Sequence, residues 1–181
     1  VHARCQILAL STSVPDRAIR ALNGQLPPDI WVTAWASVPD SFYPRHDVTG
    51  RTYRYYFCRT PENIPAMRDA AAEFVGRHNF SCFARIEPGK SPIRTVDRIA
   101  IVLDEDGCRL EVTAQSFLWH MVRCIAASLL QISDGTLTIG ELRTYLSGVC
   151  TNKIKPAPPE GLILWDVHAD LDWHRIPVLR L

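Results

Sequence analysis

The sequence lacks the cysteine spacing of a disulfide scaffold or of a structural zinc site. It has 6 cysteines, and no two of them form a C-x-x-C pair. Scattered cysteines of this kind favour reduced thiols, and we therefore predict a cytoplasmic protein. A strong excess of charge of either sign is also missing, because the formal net charge is only +1. The whole-chain charge gives no indication of a nucleic acid partner, although a local basic patch could still bind one.

Long hydrophobic runs and cofactor-binding motifs are equally absent. The longest apolar run, residues 117–132, contains His120 and Arg123 and is shorter than the ~20 residues that cross a bilayer. We therefore predict no membrane-spanning segment. The glycine patterns of nucleotide sites, the G-x-S-x-G pattern and the H-E-x-x-H pattern do not occur, so no cofactor and no metal are expected. The acidic residues 104–106 lie at a predicted hairpin tip, where carboxylates are ordinarily solvated.

The order of the predicted elements indicates an α+β fold. Alternating and apolar patterns predict strands over residues 4–10, 30–37, 51–59, 93–103, 108–115 and 162–168, and helices over residues 16–22, 65–76, 117–132 and 139–146. With 47% hydrophobic and 22% charged residues, the composition is that of a folded globular chain. A hairpin in the middle of this order predicts a mainly antiparallel sheet with helices packed on one face.

Arg123 is the most informative single residue of the sequence. It lies midway along the apolar helix predicted over residues 117–132, and no Asp or Glu falls within one turn of it. A buried guanidinium without a partner is unfavourable, so its partner must come from another segment, from a ligand, or from a part of the protein beyond these residues. The alternative is that Arg123 reaches solvent along one face of the helix, and the sequence does not favour either.

Arginines and tyrosines are interleaved between residues 43 and 59. From residue 45 to residue 59 there are four arginines and a single acidic residue, Asp47. Strand alternation puts Arg51 and Tyr53 on one face and Arg54 on the other. Arginines contact phosphates and tyrosines stack on unpaired bases, as in the recognition of single-stranded or loop RNA. The alternative is an ordinary aromatic strand with a solvated basic edge, which composition alone favours.

Several short motifs follow one another along the chain. The strongest is FLWHMVR at residues 117–123. The others are VHA at 1–3, Asn23 with Leu26-Pro27, FYPR at 42–45, RTYRY at 51–55, HNFSCF at 78–83, RTV at 94–96 and EGL at 160–162. In this order and spacing the motifs resemble the tRNA pseudouridine synthase A family over nearly the whole chain.

The resemblance implies a role for five residues. Tyr53 matches the family tyrosine that stacks on the flipped target uracil and is a candidate for handling the C5 proton. Arg123 matches the arginine that pairs with the catalytic aspartate. Leu162 matches an apolar residue near the base, and Arg45 and Arg54 are implied contacts to the RNA backbone.

In that family the Val-His-Ala motif follows a Gly-Arg-Thr-Asp-x-Gly motif whose aspartate is the nucleophile. This sequence starts with Val1-His2-Ala3, so we expect a chain truncated at its amino terminus that lacks the nucleophile. Residues 1–44 are then the remnant of an amino-terminal half-domain that binds RNA and contributes to catalysis. Residues 45–181 are the carboxy-terminal pseudouridine synthase domain. The implied architecture is the pseudouridine synthase fold, with ferredoxin-like half-domains.

The implied activity is the isomerisation of uridine to pseudouridine in tRNA, in the anticodon stem-loop, by base flipping and covalent catalysis. The resemblance also implies a homodimer that needs no cofactor, and the chain alone is expected to be inactive. A non-catalytic RNA-binding module that uses residues 45–59 is the alternative, and an α+β interaction domain without a nucleic acid partner is a third. The unpaired edge of the first strand is expected to promote dimerisation, swapping or aggregation.

Overall fold

The computed structural model describes residues 2–105 and 107–176 and divides into two compact units. The first unit consists of Val1–Gln6 and Thr49–His168, and the second consists of Ile7–Val48 and Ala169–Leu181. Each unit is described by itself. The predicted boundary between residues 44 and 45 concerns the half-domains of a family, which these packing units do not test, so that boundary stays a prediction.

The described residues form four α-helices, one 3₁₀ turn and eight strands. The helices are α1 (Pro15–Asn23), α2 (Ile64–Ala72), α3 (Met121–Ser133), α4 (Ile139–Leu146) and a 3₁₀ turn (Pro159–Gly161). The strands are β1 (His2–Ala3), β2 (Ala34–Trp35), β3 (Gly50–Tyr56), β4 (Gly76–Asn79), β5 (Ile93–Asp104), β6 (Gly107–Ala114), β7 (Leu162–His168) and β8 (His174–Arg175). None of the described helices has the length and apolar character that crossing a membrane requires.

A six-stranded sheet is the centre of the first unit. Its strands lie side by side in the order β1-β7-β3-β6-β5-β4. β1 pairs with β7 in parallel, and all other neighbours in this sheet are antiparallel. The predicted α+β class with a mainly antiparallel sheet is confirmed. The hairpin between β5 and β6 includes Asp106, so the predicted Asp-Gly turn lies partly outside the described residues.

The core of the first unit lies between the sheet and the helices α2 and α3. Every second side chain of β6 is buried in it, namely Cys108, Leu110, Val112 and Ala114. Three fully buried rings, Phe74, Phe80 and Phe83, contact one another at centroid distances between 5.3 and 6.4 Å. Alternate burial on a strand places the core on one face of the sheet, and the prediction of helices on one face is confirmed.

The second unit is built around helix α1 and a two-stranded sheet. The side chain of Asn23, the last residue of α1, fixes the following loop, because its Nδ2 donates to the Val32 carbonyl at 3.1 Å. The Val32 N–H in turn donates to the Oδ1 of Asn23 at 2.7 Å. Strands β2 and β8 pair in antiparallel orientation, and Trp35 stacks on His174 with ring centroids 4.5 Å apart.

Two predicted strands are wrong in extent. None of residues 4–10, predicted as a strand, forms one: β1 lies before them at His2–Ala3, and Leu8 and Leu10 are 67% and 49% exposed. The strand predicted over residues 30–37 is limited to Ala34–Trp35. Both segments are apolar, but strand structure requires a hydrogen-bonded neighbour, and a short apolar run does not supply one. β1 is an edge strand of its sheet, and association through this edge stays a prediction.

The expectation that all cysteines are reduced is also wrong. Cys82 and Cys150 form a disulfide with a Cα–Cα distance of 5.8 Å, which is within the usual range for such bonds. The two residues are 68 positions apart in the sequence. The fold alone brings them together, and cysteine spacing could not reveal the pair. The free thiols are Cys5, Cys58, Cys108 and Cys124.

Candidate active site

Strand β3 carries two of the predicted site residues of the first unit, Tyr53 and Arg54, and its side chains alternate between two faces of the sheet. Tyr53 and Tyr55 contact the core cluster, whereas Arg54 contacts Glu111 and Trp165 on the other face. The strand is hydrogen-bonded on both sides, to β6 and to β7. A strand held on both sides fixes the direction of its side chains, and the alternation predicted for Tyr53 and Arg54 is confirmed.

Tyr53 is half-buried, and its ring meets the ring of Phe117 edge-on at a centroid distance of 5.0 Å. Burial raises the pKa of Tyr53 above its ordinary value of 10, and the nearby charge of Arg51 lowers it in part. The hydroxyl therefore keeps its proton throughout the neutral range. A half-buried tyrosine of this kind offers a planar ring for stacking and a neutral hydroxyl for hydrogen bonding.

Tyr55, two residues after Tyr53 on the same face of β3, is part of the core. Tyr55 is 3% exposed, and its hydroxyl donates to the carbonyl of Pro158 at 3.0 Å. Leu162 pairs with Tyr55 across the β3–β7 ladder and is 6% exposed. Leu162 is thus a core residue one strand away from the tyrosines. Its implied contact with a base stays a prediction.

Helix α3 begins at Met121 and not at Phe117 as predicted. His120 takes a left-handed backbone conformation with φ at 67°, which a right-handed helix cannot include. Arg123 therefore lies in the first turn of α3 rather than in the middle of a long helix. The helix dipole places partial positive charge at this end, so a cation here is unfavourable unless an anion accompanies it.

Arg123 is half-buried and is held by the loop that precedes β7. Its Nε donates to the Ala157 carbonyl at 2.6 Å, and the Ala157 N–H donates to the Arg123 carbonyl at 3.1 Å. Burial, and after it Cys58 and Glu160, raise the pKa of Tyr55, while Arg123 lowers it. Within residues 2–105 and 107–176, Arg123 forms no ion pair with a carboxylate.

The loop that holds Arg123 is itself attached to the core. The Ile154 N–H donates to the Cys82 carbonyl at 3.0 Å, and the Cys124 thiol donates to the Ile154 carbonyl at 3.4 Å. The loop contributes to the site through the carbonyl groups of Ala157 and Pro158. Sequence analysis missed these groups, because every residue type carries a backbone carbonyl and no side chain marks it.

The side chain of Arg54 contacts a carboxylate and an aromatic ring on the opposite face of the sheet. It forms an ion pair with Glu111 at 2.8 Å, and its guanidinium lies 3.4 Å from the centroid of the Trp165 ring. Arg4 lies over the same ring at 4.3 Å. The Nε of Arg54 is buried and has no acceptor. These contacts fix the guanidinium against the sheet, and its contact with RNA stays a prediction.

Arg45 belongs to the second unit and is exposed. It lies in a turn in which the Tyr43 N–H donates to a carboxylate oxygen of Asp47 at 2.6 Å. The Tyr43 ring stacks on His46 with centroids 5.2 Å apart. The turn is thus ordered by its own contacts, and the implied contact of Arg45 with the RNA backbone stays a prediction.

Gly161 joins the 3₁₀ turn to β7 where there is no room for a side chain. A Cβ at this position would lie 2.4 Å from the Tyr56 carbonyl oxygen and 3.1 Å from the Tyr55 ring. We expect Gly161→Ala to lower the free energy of unfolding by about 1–3 kcal/mol, because backbone and ring would have to move apart.

Gly140 provides the matched control for this substitution. It lies within α4, and the nearest heavy atom to its Cβ position is 3.9 Å away. Gly140→Ala is expected to stabilise the chain by about 0.5–1 kcal/mol, as alanine does in an open helix position. Urea unfolding of both variants measures the difference, and equal stabilities would contradict the close approach at Gly161.

A sequence model described as tRNA pseudouridine synthase matches residues 70–169, which is more than half of the chain. The chain belongs to this family. The matched region of the tRNA pseudouridine synthase model includes Arg123 and Leu162, whereas Tyr53, Arg54 and Arg45 lie before it.

Curated relatives named tRNA pseudouridine synthase A extend the similarity to those earlier residues. The relative from Methanoculleus marisnigri is 45% identical over 178 residues, which is 98% of this chain and 65% of the relative. The relative from Methanosphaerula palustris is 50% identical over 167 residues, 92% of this chain and 59% of the relative. The relative from Thermococcus kodakarensis is 46% identical over 139 residues, 77% of this chain and 52% of the relative. The chain thus spans between about half and two thirds of the length of these relatives.

Potential metal ligands do not cluster in the described part of this pseudouridine synthase family member. Across residues 2–105 and 107–176, no group of three or more His, Cys, Asp or Glu side chains is arranged as metal ligands would be. Asp104, at the predicted acidic hairpin tip, forms an ion pair with Arg109.

Proposed function

We propose that this chain is part of an enzyme that isomerises uridine to pseudouridine in the anticodon stem-loop of tRNA. The observation that carries the proposal is the environment of Arg123. Its guanidinium is held by the Ala157 carbonyl at 2.6 Å, in the first turn of α3, and it has no carboxylate partner among residues 2–105 and 107–176. Side-chain charge and helix dipole are both positive here, so this position favours an anion.

We assign to Arg123 the task of keeping a nucleophilic aspartate ionised. A positive charge within a few ångströms stabilises the charged form of a carboxylate and lowers its pKa. The aspartate is proposed to lie in the amino-terminal part that the longer relatives contain. Without that part, the 181-residue chain is proposed to be inactive.

We assign to Tyr53 the contact with the target base. A uridine must leave its stack before any side chain reaches it, and the half-buried ring of Tyr53 offers a surface on which the uracil can stack. Its hydroxyl is a candidate for relaying the C5 proton: the oxygen takes up this proton while the hydroxyl gives its own proton to an acceptor, so the tyrosine stays neutral. Leu162 is proposed to contact the base, and Arg45 and Arg54 are proposed to contact the RNA backbone.

The proposed reaction is an isomerisation in which no atom is gained or lost overall. The aspartate carboxylate attacks C1′ and forms a covalent bond to it, the bond between C1′ and N1 breaks, and the uracil turns. C5 then bonds to C1′ and displaces the carboxylate, the C5 proton leaves, and N1 takes up a proton. None of these steps calls for a metal or a cofactor. We further propose that the complete enzyme is a homodimer in the cytoplasm.

The test compares this chain with an extended protein. The extended protein consists of the part of the Methanoculleus marisnigri relative that precedes the matched region, joined to Val1 of this chain. With tRNA that carries tritium at C5 of uridine, the extended protein is expected to release tritium and the chain alone is not. Release by the chain alone would contradict a nucleophile outside it. Binding of tRNA by the extended protein without any release would favour the alternative of a non-catalytic RNA-binding module.

A further inference from the structure

A cavity of about 300 Å³ lies where one end of the sheet meets the segment that follows β6. Arg77 of β4, Arg94 and Thr95 of β5, and Ser91 and Ser116 of the neighbouring loops line it. Arg77 and Thr95 are direct partners across the β4–β5 ladder. The lining is mostly polar, and its charged side chains are both arginines.

The positive charge of the cavity is not neutralised by the described part of the chain. Neither Arg77 nor Arg94 forms an ion pair with any carboxylate of residues 2–105 and 107–176. The Nη1 of Arg94 donates to the carbonyls of Ser91 and Ile93, at 2.9 and 2.6 Å, while its Nε is buried and has no acceptor. A buried charged donor without an acceptor is unfavourable. An anion with several oxygen atoms would supply an acceptor for the Nε of Arg94 and a negative charge for both arginines.

The cavity is connected to the candidate active site through two consecutive residues. Ser116 lines the cavity, and the next residue is Phe117, whose ring contacts Tyr53 at 5.0 Å. Gln115 also lines the cavity, and its carbonyl accepts from the Nη1 of Arg51 at 2.8 Å. Arg51 lies two residues before Tyr53 on the same face of β3. An anion in the cavity would thus contact the segment whose next residue, Phe117, packs against the ring to which we assign the target base.

We propose that this cavity binds a phosphate group of the tRNA backbone next to the nucleotide whose base stacks on Tyr53. The inference rests on the proposed function, because it takes tRNA as the ligand. Guanidinium groups match phosphate geometry with two parallel hydrogen bonds, and the hydroxyls of Ser91, Thr95 and Ser116 add neutral donors. Phosphate contacts fix the register of a bound nucleic acid, so this site would hold the backbone while the base is out of its stack.

The experiment measures tRNA binding by the extended protein at several salt concentrations, with fluorescently labelled tRNA as the probe. The logarithm of the association constant falls linearly with the logarithm of the salt concentration. Each lost phosphate contact makes this slope less steep by about 1. We expect this change, and a weakening of binding of up to about tenfold at moderate salt, for Arg77→Gln and for Arg94→Gln. Arg77 is exposed, and its side chain makes no hydrogen bond within residues 2–105 and 107–176, so its replacement tests the site even if Arg94→Gln disturbs folding.

Arg143→Gln is the control, because it removes the same charge from helix α4, outside the cavity and outside residues 45–59. Arg143 is paired with Glu73, and its replacement is expected to leave the salt slope unchanged. Wild-type slopes for Arg77→Gln, or equal effects of Arg77→Gln and Arg143→Gln, would overturn the phosphate site. If the two cavity variants lower the slope but the extended protein forms no pseudouridine, the site stands and the proposed activity fails. If pseudouridine forms and the slopes do not change, only the phosphate site fails.

Discussion

Replacement of Arg123 by glutamine is expected to slow pseudouridine formation by the extended protein about 100- to 1,000-fold at saturating tRNA, as loss of a charge-stabilising group does in other active sites. The Nε of arginine and the side-chain nitrogen of glutamine are both bonded to Cδ. Glutamine can therefore still donate to the Ala157 carbonyl, which accepts from Arg123 at 2.6 Å, and the fold is expected to persist. The loss is confined to the positive charge.

The pH profile distinguishes a lost ion pair from a disturbed fold. Without Arg123, the pKa of the nucleophilic aspartate is expected to rise by about 1–3 pH units. In a plot of kcat against pH, the acidic limb should move to higher pH by the same amount, because a protonated carboxyl group cannot attack. A simple loss of structure would lower the rate at every pH and leave the limb in place.

Arg143→Gln is the matched control for this substitution. Arg143 lies on α4 with 65% of its side chain exposed and pairs with Glu73 at 2.7 Å. Exposed pairs contribute little to stability, about 0–1 kcal/mol, so the rate is expected to stay within about twofold of the wild type. An unchanged rate and pH profile for Arg123→Gln would contradict the role assigned to Arg123.

The elements that could be predicted from sequence are those whose signals are local. Helix α4 has the predicted bounds Ile139–Leu146, and Thr138 caps it through a capping box with Glu141. The Thr138 hydroxyl accepts from the Glu141 N–H at 3.2 Å, and the Glu141 carboxylate accepts from the Thr138 N–H at 2.8 Å. Such a capping box involves one helical turn and is therefore visible in the sequence. At α1, predicted over residues 16–22, the helix begins one residue earlier, at Pro15, and Asp16 lies inside its first turn instead of capping it.

Elements that depend on a distant partner could not be predicted. Strand β4 (Gly76–Asn79) is short and polar, and it was not foreseen because its structure comes from pairing with β5. In contrast, the apolar segment 30–37 forms little strand, and Trp31 within it is 47% exposed. Strand preference reflects the neighbours with which a segment packs, and the sequence of the segment alone does not identify them.

The candidate site likewise contains one residue that the sequence could reveal and groups that it could not. An arginine among apolar residues is a conspicuous side chain, so Arg123 could be singled out from the sequence. The Ala157 carbonyl that holds it could not, because all residues carry this group. The cavity lined by Arg77 and Arg94 depends on the β4–β5 ladder, and so it became visible only in the structure.

Tyr53→Phe separates the two tasks assigned to Tyr53. Phenylalanine keeps the ring and its edge contact with Phe117 at 5.0 Å and removes only the hydroxyl. If the hydroxyl handles the C5 proton, kcat of the extended protein is expected to fall about 100- to 10,000-fold, while the Kd for tRNA stays within about twofold. Tyr53→Ala removes the ring as well and is expected to weaken binding by about 1–3 kcal/mol, the contribution of one stacked base.

The pH profile and a control on the same strand complete this test. Because burial raises the pKa of Tyr53 above 10, its ionisation is expected to cause no loss of wild-type rate below pH 10. Tyr56, on the opposite face of β3, has Arg109 over its ring at 6.0 Å, and Tyr56→Phe is expected to leave kcat unchanged. A wild-type rate for Tyr53→Phe would show that another group moves the proton. The ring of Tyr53 would then keep only the role of stacking, because the contact with Phe117 does not involve the hydroxyl.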